Sequence, residues 1–215
     1  NSSYNEKFSF INSLNGQYVK SGPSGAPTRG KTEALPTGKN FFSVDSRGLP
    51  TESAWIVGCK SASQILDLYK QENGEDLKNI AISVWATSTM RNGGEDICQI
   101  LYLLGVQPIW DGPSRRVIDL EIIPLSILDR PRVDVTLRIS GMFRDAFPQL
   151  VKLTSKAINL VSNLNENDIF NPLARALKEG DPINRIFGSA PGSYGAGLQE
   201  LISNSNWENI DDFGE

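Results

Sequence analysis

The stretch DRPRVDVTLRISGMFRDAF at residues 129–147 leaves few choices of local structure. Val133, Val135, Leu137 and Ile139 alternate with Asp134, Thr136 and Arg138, the period-two pattern of a strand, and Pro131 sets its start. Ser140 and Gly141 break the run, and Met142, Phe143, Arg144 and Asp145 lead into a helical pattern. A strand, a glycine turn and a helix are therefore predicted in that order. The arrangement puts Arg138, Ser140, Arg144 and Asp145 near the carboxyl end of the strand, where open α/β sheets bind their ligands.

The same grammar occurs twice more. An apolar run at 79–85, read as a strand buried on both faces, enters a polar, glycine-rich turn at 86–94 and then a helix from Glu95. An extended piece at 185–187 enters a small-residue turn at 188–197, with a last helix expected near 198–203. If the three strands are parallel neighbours, right-handed crossovers bring all three turns to one rim. That rim collects Thr87, Ser88, Arg91, Glu95, Asp96, Ser140, Arg144, Asp145, Ser189, Ser193 and Tyr194. Hydroxyls, backbone N–H groups and guanidinium forks at helix starts suit a polyanionic ligand. The substrate-binding candidates are Arg91, Glu95, Asp96, Ser140, Arg144, Asp145, Ser193 and Tyr194; plain polar surface is the competing reading. Arg144, in the turn itself, is the stronger ligand candidate. Arg138 alternates with core positions, which favours an ion pair, with Asp134, Asp145 or Glu121 as partners. Glu95 and Asp96 open a helix, where the dipole favours carboxylates regardless of function. No catalytic or metal-ligating residue is singled out.

Elsewhere, a short amphipathic helix is expected over 7–18, then an irregular Gly/Pro/Ser/Thr-rich connection to residue 50. Within it, LPTGKN at 35–40 has no strand before it and reads as a loop on the α/β core. Lys39 and Asn40 would face the same cleft, and Asp45 would pair locally with Arg47. Thr51 caps a helix to about residue 71, with Ala54, Trp55, Gly58, Ala62, Ile65, Leu66 and Tyr69 on one face. A helix over 95–104 turns Ile97, Ile100, Leu101 and Leu104 inward. Residues 106–110 and 116–124 are further strands, 145–164 one helix, and 172–177 a short one. The four tryptophans, Trp55, Trp85, Trp110 and Trp207, read as core or interface anchors. Strands alternating with helices give an α/β class with a largely parallel sheet and flanking, Rossmann-like helical layers. A long irregular N-terminal segment precedes it, so the division is 1–50 and 51–215.

The formal net charge of −4 argues against non-specific nucleic-acid binding. No apolar run approaches the roughly 20 residues needed to span a bilayer. The polar start NSSYNEKF lacks a signal-peptide pattern, and a cytoplasmic location is expected. The first residue is Asn, which reads as a piece of a longer chain. Cys59 and Cys98 read as buried thiols in a reducing compartment. With no histidine, a Ser-His-Asp triad or a zincin helix within these residues is excluded. GSAPGSYGAG at 188–197 lacks the Lys-Ser/Thr ending of a Walker A loop, so nucleotide binding is not expected there.

RPRVDVTLRISGMFRDAF resembles a block of the large subunit of the cobalt-chelatase and magnesium-chelatase family. GPSGAPTRG at 22–30, LPTGKNFFSVD at 35–45, LPTESAW at 49–55, GGEDICQILYLLGVQPIWD at 93–111 and RIFGSAPGSYGAGLQELI at 185–202 are also similar, in family order. The wording is closer to the cobalt-inserting CobN branch. The resemblance implies ATP-dependent insertion of Co2+ into hydrogenobyrinic acid a,c-diamide on the aerobic cobalamin route. It implies that the large subunit binds tetrapyrrole and metal while separate AAA+ partner subunits hydrolyse ATP. Glu95 and Asp96 would then accept a pyrrole proton or pass on a hydrated metal ion. The alternatives are a magnesium-chelatase subunit acting with Mg2+ on protoporphyrin IX, and a non-catalytic docking domain for the AAA+ partners. The family's HGxxEW motif is absent here, so the segment alone is expected to be inactive.

Overall fold

The computed structural model describes residues 1–22, 27, 32–39 and 46–194. The chain forms two compact units, Asn1–Leu49 and Pro50–Glu215. The first holds helix α1 (Ser2–Leu14), which starts earlier than its apolar pattern suggests and buries none of its residues. Tyr4 and Phe8 stack one turn apart, 6.1 Å between ring centroids. The Thr37 hydroxyl donates to Glu6, and the Thr37 N–H donates to Ser2 Oγ at 3.2 Å. Beyond α1 the described residues carry little regular structure, chiefly turns of 3-10 helix at Thr32–Ala34 and Ser46–Gly48. Asn40 and Asp45 lie outside the described residues.

The second unit opens with α2 (Glu52–Asn73). Thr51 Oγ1 accepts the Ala54 N–H at 3.1 Å, and Gly74 ends the helix in the left-handed region. Next come β1 (Asn79–Val84), α3 (Ala86–Asn92), α4 (Glu95–Leu104), the strands β2 (Val106–Trp110) and β3 (Val117–Ile122), and α5 (Leu125–Leu128). Then follow β4 (Asp134–Ile139), α6 (Gly141–Ala146), α7 (Pro148–Ser162), α8 (Pro172–Lys178) and β5 (Ile186–Gly188). The fold is α/β: β1, β4 and β5 form a parallel sheet in the order β1-β4-β5, with helices flanking it.

At the centre lies α4, whose Ile97, Cys98, Ile100, Leu101, Leu103 and Leu104 are wholly buried. It packs against α2, β2, β4 and α7. Each buried Leu or Ile contributes about 1.5–3 kcal/mol. Gly58 lets α2 approach closely, since a Cβ there would sit 2.6 Å from Cys98 Cβ. Among the α2 positions expected inside, Ala54, Gly58 and Ala62 are buried. Trp55, Ile65, Leu66 and Tyr69 are half-buried.

Four expectations change. Residues 86–92 are helix α3, because the chain meets no breaker before Gly93 and Gly94, both at positive φ. Strands β2 and β3 pair antiparallel with each other in a separate hairpin. The helix expected over 145–164 is two helices, because Pro148 lacks an N–H and restricts Phe147 before it. Finally, β1 is buried on one face only: Asn79, Ala81 and Ser83 are exposed, since β1 borders the sheet and one face of that sheet is open. The helix expected near 198–203 and Trp207 lie outside the described residues.

Candidate functional site

The three strands end level. Val84 stands beside Ile139, and Ile139 beside Gly188, so the chain leaves the sheet at one rim three times. The Ser140 N–H reaches across to the Val84 carbonyl at 3.1 Å, tying two of these exits together. Ser140 Oγ accepts the Phe143 N–H at 3.1 Å and so caps α6. Gly141 is required by close approach, because a Cβ there would lie 2.5 Å from the Ser193 carbonyl oxygen.

The exits after β4 and β5 are locked by one side-chain cluster. Arg144 grips the adjacent Asp145 side-on through one edge of its guanidinium, Nε to Oδ1 at 2.7 Å and Nη2 to Oδ2 at 3.0 Å. Its Nη1 donates to the Ser189 and Ala190 carbonyls at 2.5 and 2.7 Å. Tyr194 Oη donates to Asp145 Oδ2 at 2.7 Å. The hydrogen bond from Arg144 holds the Asp145 carboxyl below the usual carboxylate range, with Tyr194 adding to it. The same bond to Asp145 pushes the Tyr194 phenol above its ordinary value. Tyr194 nevertheless stays 59% exposed. Ser193 lies half-buried beside it.

The exit after β1 brings the other candidates. Arg91 is exposed in the last turn of α3. Glu95 and Asp96 open α4. Asp96 is anchored: wholly buried Thr89 donates to its Oδ2 at 2.7 Å, and its Oδ1 accepts the Ile97 N–H at 3.0 Å. Burial raises the Asp96 carboxyl above its ordinary value, against those two hydrogen bonds. Packing of α3 against α6 joins this group to the Arg144 cluster.

Thr89 and Asn92 escaped the sequence reading, although each organises this exit. Asn92 Oδ1 accepts the Gly94 and Glu95 N–H groups, at 2.9 and 3.2 Å, in place of a cap on α4. An Asn two residues before a glycine is the signal that marks it. Trp85, expected as an anchor, is 54% exposed at the rim. Trp55 and Trp110 do anchor each other edge to face, and Trp110 Nε1 donates to the Pro50 carbonyl at 2.9 Å. Of the partners expected for Arg138, Asp134 is taken by Arg185, Nε to Oδ1 at 2.8 Å, and Asp145 by Arg144. Arg138 itself is exposed and interacts within the chain.

At the opposite end of the sheet, a groove of about 540 Å³ is lined by Lys70, Leu125, Arg130, Ile169 and Phe170 among others. Lys70 there pairs with Asp76 at 2.8 Å. Arg130 lies 4.8 Å over the Tyr102 ring and donates to backbone carbonyls through Nη1 and Nη2, while its buried Nε has no hydrogen-bond partner among the described residues. Among the described residues, no three His, Cys, Asp or Glu side chains gather into a metal-binding group, and no helix is long and apolar enough to cross a membrane.

A family model described as CobN/Magnesium Chelatase matches residues 1–215. The chain is 49% identical to the aerobic cobaltochelatase subunit CobN of Pseudomonas aeruginosa, an alignment covering 94% of this chain and 18% of that protein. It is 32% identical to the chloroplastic magnesium-chelatase subunit ChlH of Oryza sativa subsp. japonica, covering 94% of this chain and 15% of that protein. Its fold matches the catalytic subunit of cobaltochelatase from Mycobacterium tuberculosis with a TM-score of 0.75 and 45% identity, over 96% of this chain and 18% of that one. The chain thus spans less than a fifth of the length of the relatives it matches. With the match running from first residue to last, the chain belongs to the CobN/magnesium-chelatase family, as a segment of a metal-chelatase large subunit.

Proposed function

We propose that this segment supplies part of the tetrapyrrole-binding face of a cobaltochelatase large subunit, which inserts Co2+ into hydrogenobyrinic acid a,c-diamide. The observation that carries this reading is the level rim at Val84, Ile139 and Gly188, where Ser140 ties the exit after β1 to that after β4, and Arg144, Asp145 and Tyr194 join the exits after β4 and β5. The residues assigned to the macrocycle are Arg91, Glu95, Asp96, Ser140, Arg144, Asp145, Ser193 and Tyr194. Arg91 and the one Nη2 N–H of Arg144 that Asp145, Ser189 and Ala190 leave over would meet peripheral carboxylates, and the exposed Tyr194 ring would lie against the flat apolar surface. Asp96, with its raised affinity for a proton, and Glu95 would take up protons displaced from the pyrrole nitrogens. ATP would be hydrolysed by AAA+ partner subunits. The 49% identity to a cobaltochelatase subunit, against 32% to a magnesium-chelatase subunit, supports cobalt over magnesium.

Titrating the full-length subunit with each macrocycle tests this. Tighter binding of the corrinoid than of protoporphyrin IX is expected; the reverse preference overturns the choice of metal branch. Arg144→Ala frees the loop at 189–190 and is expected to weaken corrinoid binding on the order of tenfold, about 1.4 kcal/mol. Loss of AAA+ partner binding in Arg144→Ala, with corrinoid affinity unchanged, would make this rim a docking surface instead.

A further inference from the structure

The parallel sheet has one covered face and one open face. Val135, Leu137 and Ile139 turn towards the side that α4 covers and are buried. By alternation, Asn79, Ala81 and Ser83 of β1 share the opposite face with Asp134, Thr136 and Arg138 of β4 and Phe187 of β5. All of these are exposed except Thr136, which is half-buried, and Asp134, which is buried in its ion pair with Arg185 at the amino end of the face. Trp85 follows the end of β1 with extended backbone (φ −115°, ψ 130°) and continues the alternation onto the same face. The result is a trough. Ala81, Ser83 and Thr136 form its floor together with the long Arg138 side chain of the central strand, while Trp85 and Phe187, 54% and 49% exposed, flank it near the carboxyl end. Arg138 already interacts within the chain and is not needed as a docking charge.

Parallel sheets occur almost only with both faces covered by helices. Two strand spacings make the trough about 10 Å wide over the three residues where β5 pairs, and β1 and β4 alone carry it on to six residues, about 20 Å. One α-helix, about 10–12 Å across with its side chains, fills that space. The family relatives run to more than five times this chain's length, so the large subunit holds ample sequence to supply it. We propose that the trough seats a single amphipathic helix from the part of the large subunit outside these 215 residues. That helix completes a helix–sheet–helix sandwich and abuts Trp85 at the rim. The proposal rests on family membership and stands whether or not the rim binds a tetrapyrrole.

Hydroxyl-radical footprinting of the wild-type full-length subunit, without macrocycle or partner subunits, reads Trp85 and Phe187 directly. Both are expected to oxidise at least about tenfold more slowly than in the urea-unfolded subunit, whereas half-exposed side chains slow only about twofold. Oxidation at the half-exposed rate overturns the proposal. Protection that appears only with tetrapyrrole, with a partner subunit or on dimerisation also overturns it, and gives the face to that occupant. A benzophenone attached to Ser83→Cys identifies what lies there. A cross-link to a peptide outside residues 1–215 supports the proposal, and one to residues 195–215 overturns it.

Discussion

Arg132 is the residue on which the second unit's connections converge. Its side chain is wholly buried, and all five N–H donors find acceptors: Nε and Nη2 on Glu166, Nη1 on the Leu104 and Gly105 carbonyls, and Nη2 also on Ile123. Asn171 holds Glu166 from the other side and caps α8. Removing the guanidinium strands a carboxylate and three carbonyls, so Arg132→Met should cost about 3–5 kcal/mol, read from urea unfolding. Nothing in the local pattern of RPRVDV distinguishes this arginine from a surface one, since its partners lie 9 to 34 positions away. Arg144 and Asp145, by contrast, are adjacent in sequence, and their placement in a turn after a strand was legible. What could not be read was that the guanidinium would face its own chain. The Asp145–Tyr194 bond gives a signed pH dependence. Asp145 stabilises fully above the ordinary carboxylate range and loses its contribution as pH falls through its lowered folded value. Tyr194 contributes below the ordinary phenol range, near 10, and loses that contribution as pH rises through its raised value. Phenolate absorbance, taken as wild type minus Tyr194→Phe, should titrate above 10 and return to about 10 in Asp145→Asn.

Among the elements, α4 decides the packing. Glycine at position 58 allows α2 to lie directly on it, with the space of a Cβ occupied by Cys98 Cβ and the Gln99 N–H. Gly58→Ala should therefore destabilise by about 1–3 kcal/mol despite the better helix propensity of alanine, measured by thermal unfolding. Burial raises the Cys59 thiol to about 11 and the Cys98 thiol further. Both should therefore alkylate slowly in the native state and rapidly in urea. Helix α4 was legible because its apolar positions repeat at helical spacing between two glycines. Helix α3 was not, because Ala-Thr-Ser-Thr has weak helix propensity and is stabilised by a tertiary bond from Thr89 to Asp96. The break at Pro148 was visible in the sequence, but an apolar stripe continuing across it from Phe147 to Leu150 masked it.

For the molecule as a whole, stability is distributed unevenly. Amide exchange should be slowest along α4 and the central strand β4, whose side chains are mostly buried. It should be fastest along α1, which buries none. Mass-resolved hydrogen exchange reads this gradient directly, and equal protection of α1 and α4 would contradict it. The alternation of Val133 to Ile139, the glycine exits and the apolar stripe of α4 fixed the α/β class from the residues alone. Periodicity is a local property, and each element carries its own. Which strands became neighbours, that β2 and β3 fold back on each other, and that β1 leaves one face open were decided only by tertiary packing. Strand order and face coverage depend on contacts between residues more than fifty positions apart, such as Ser83 with Arg138 and Asp134 with Arg185. No local pattern encodes those distances.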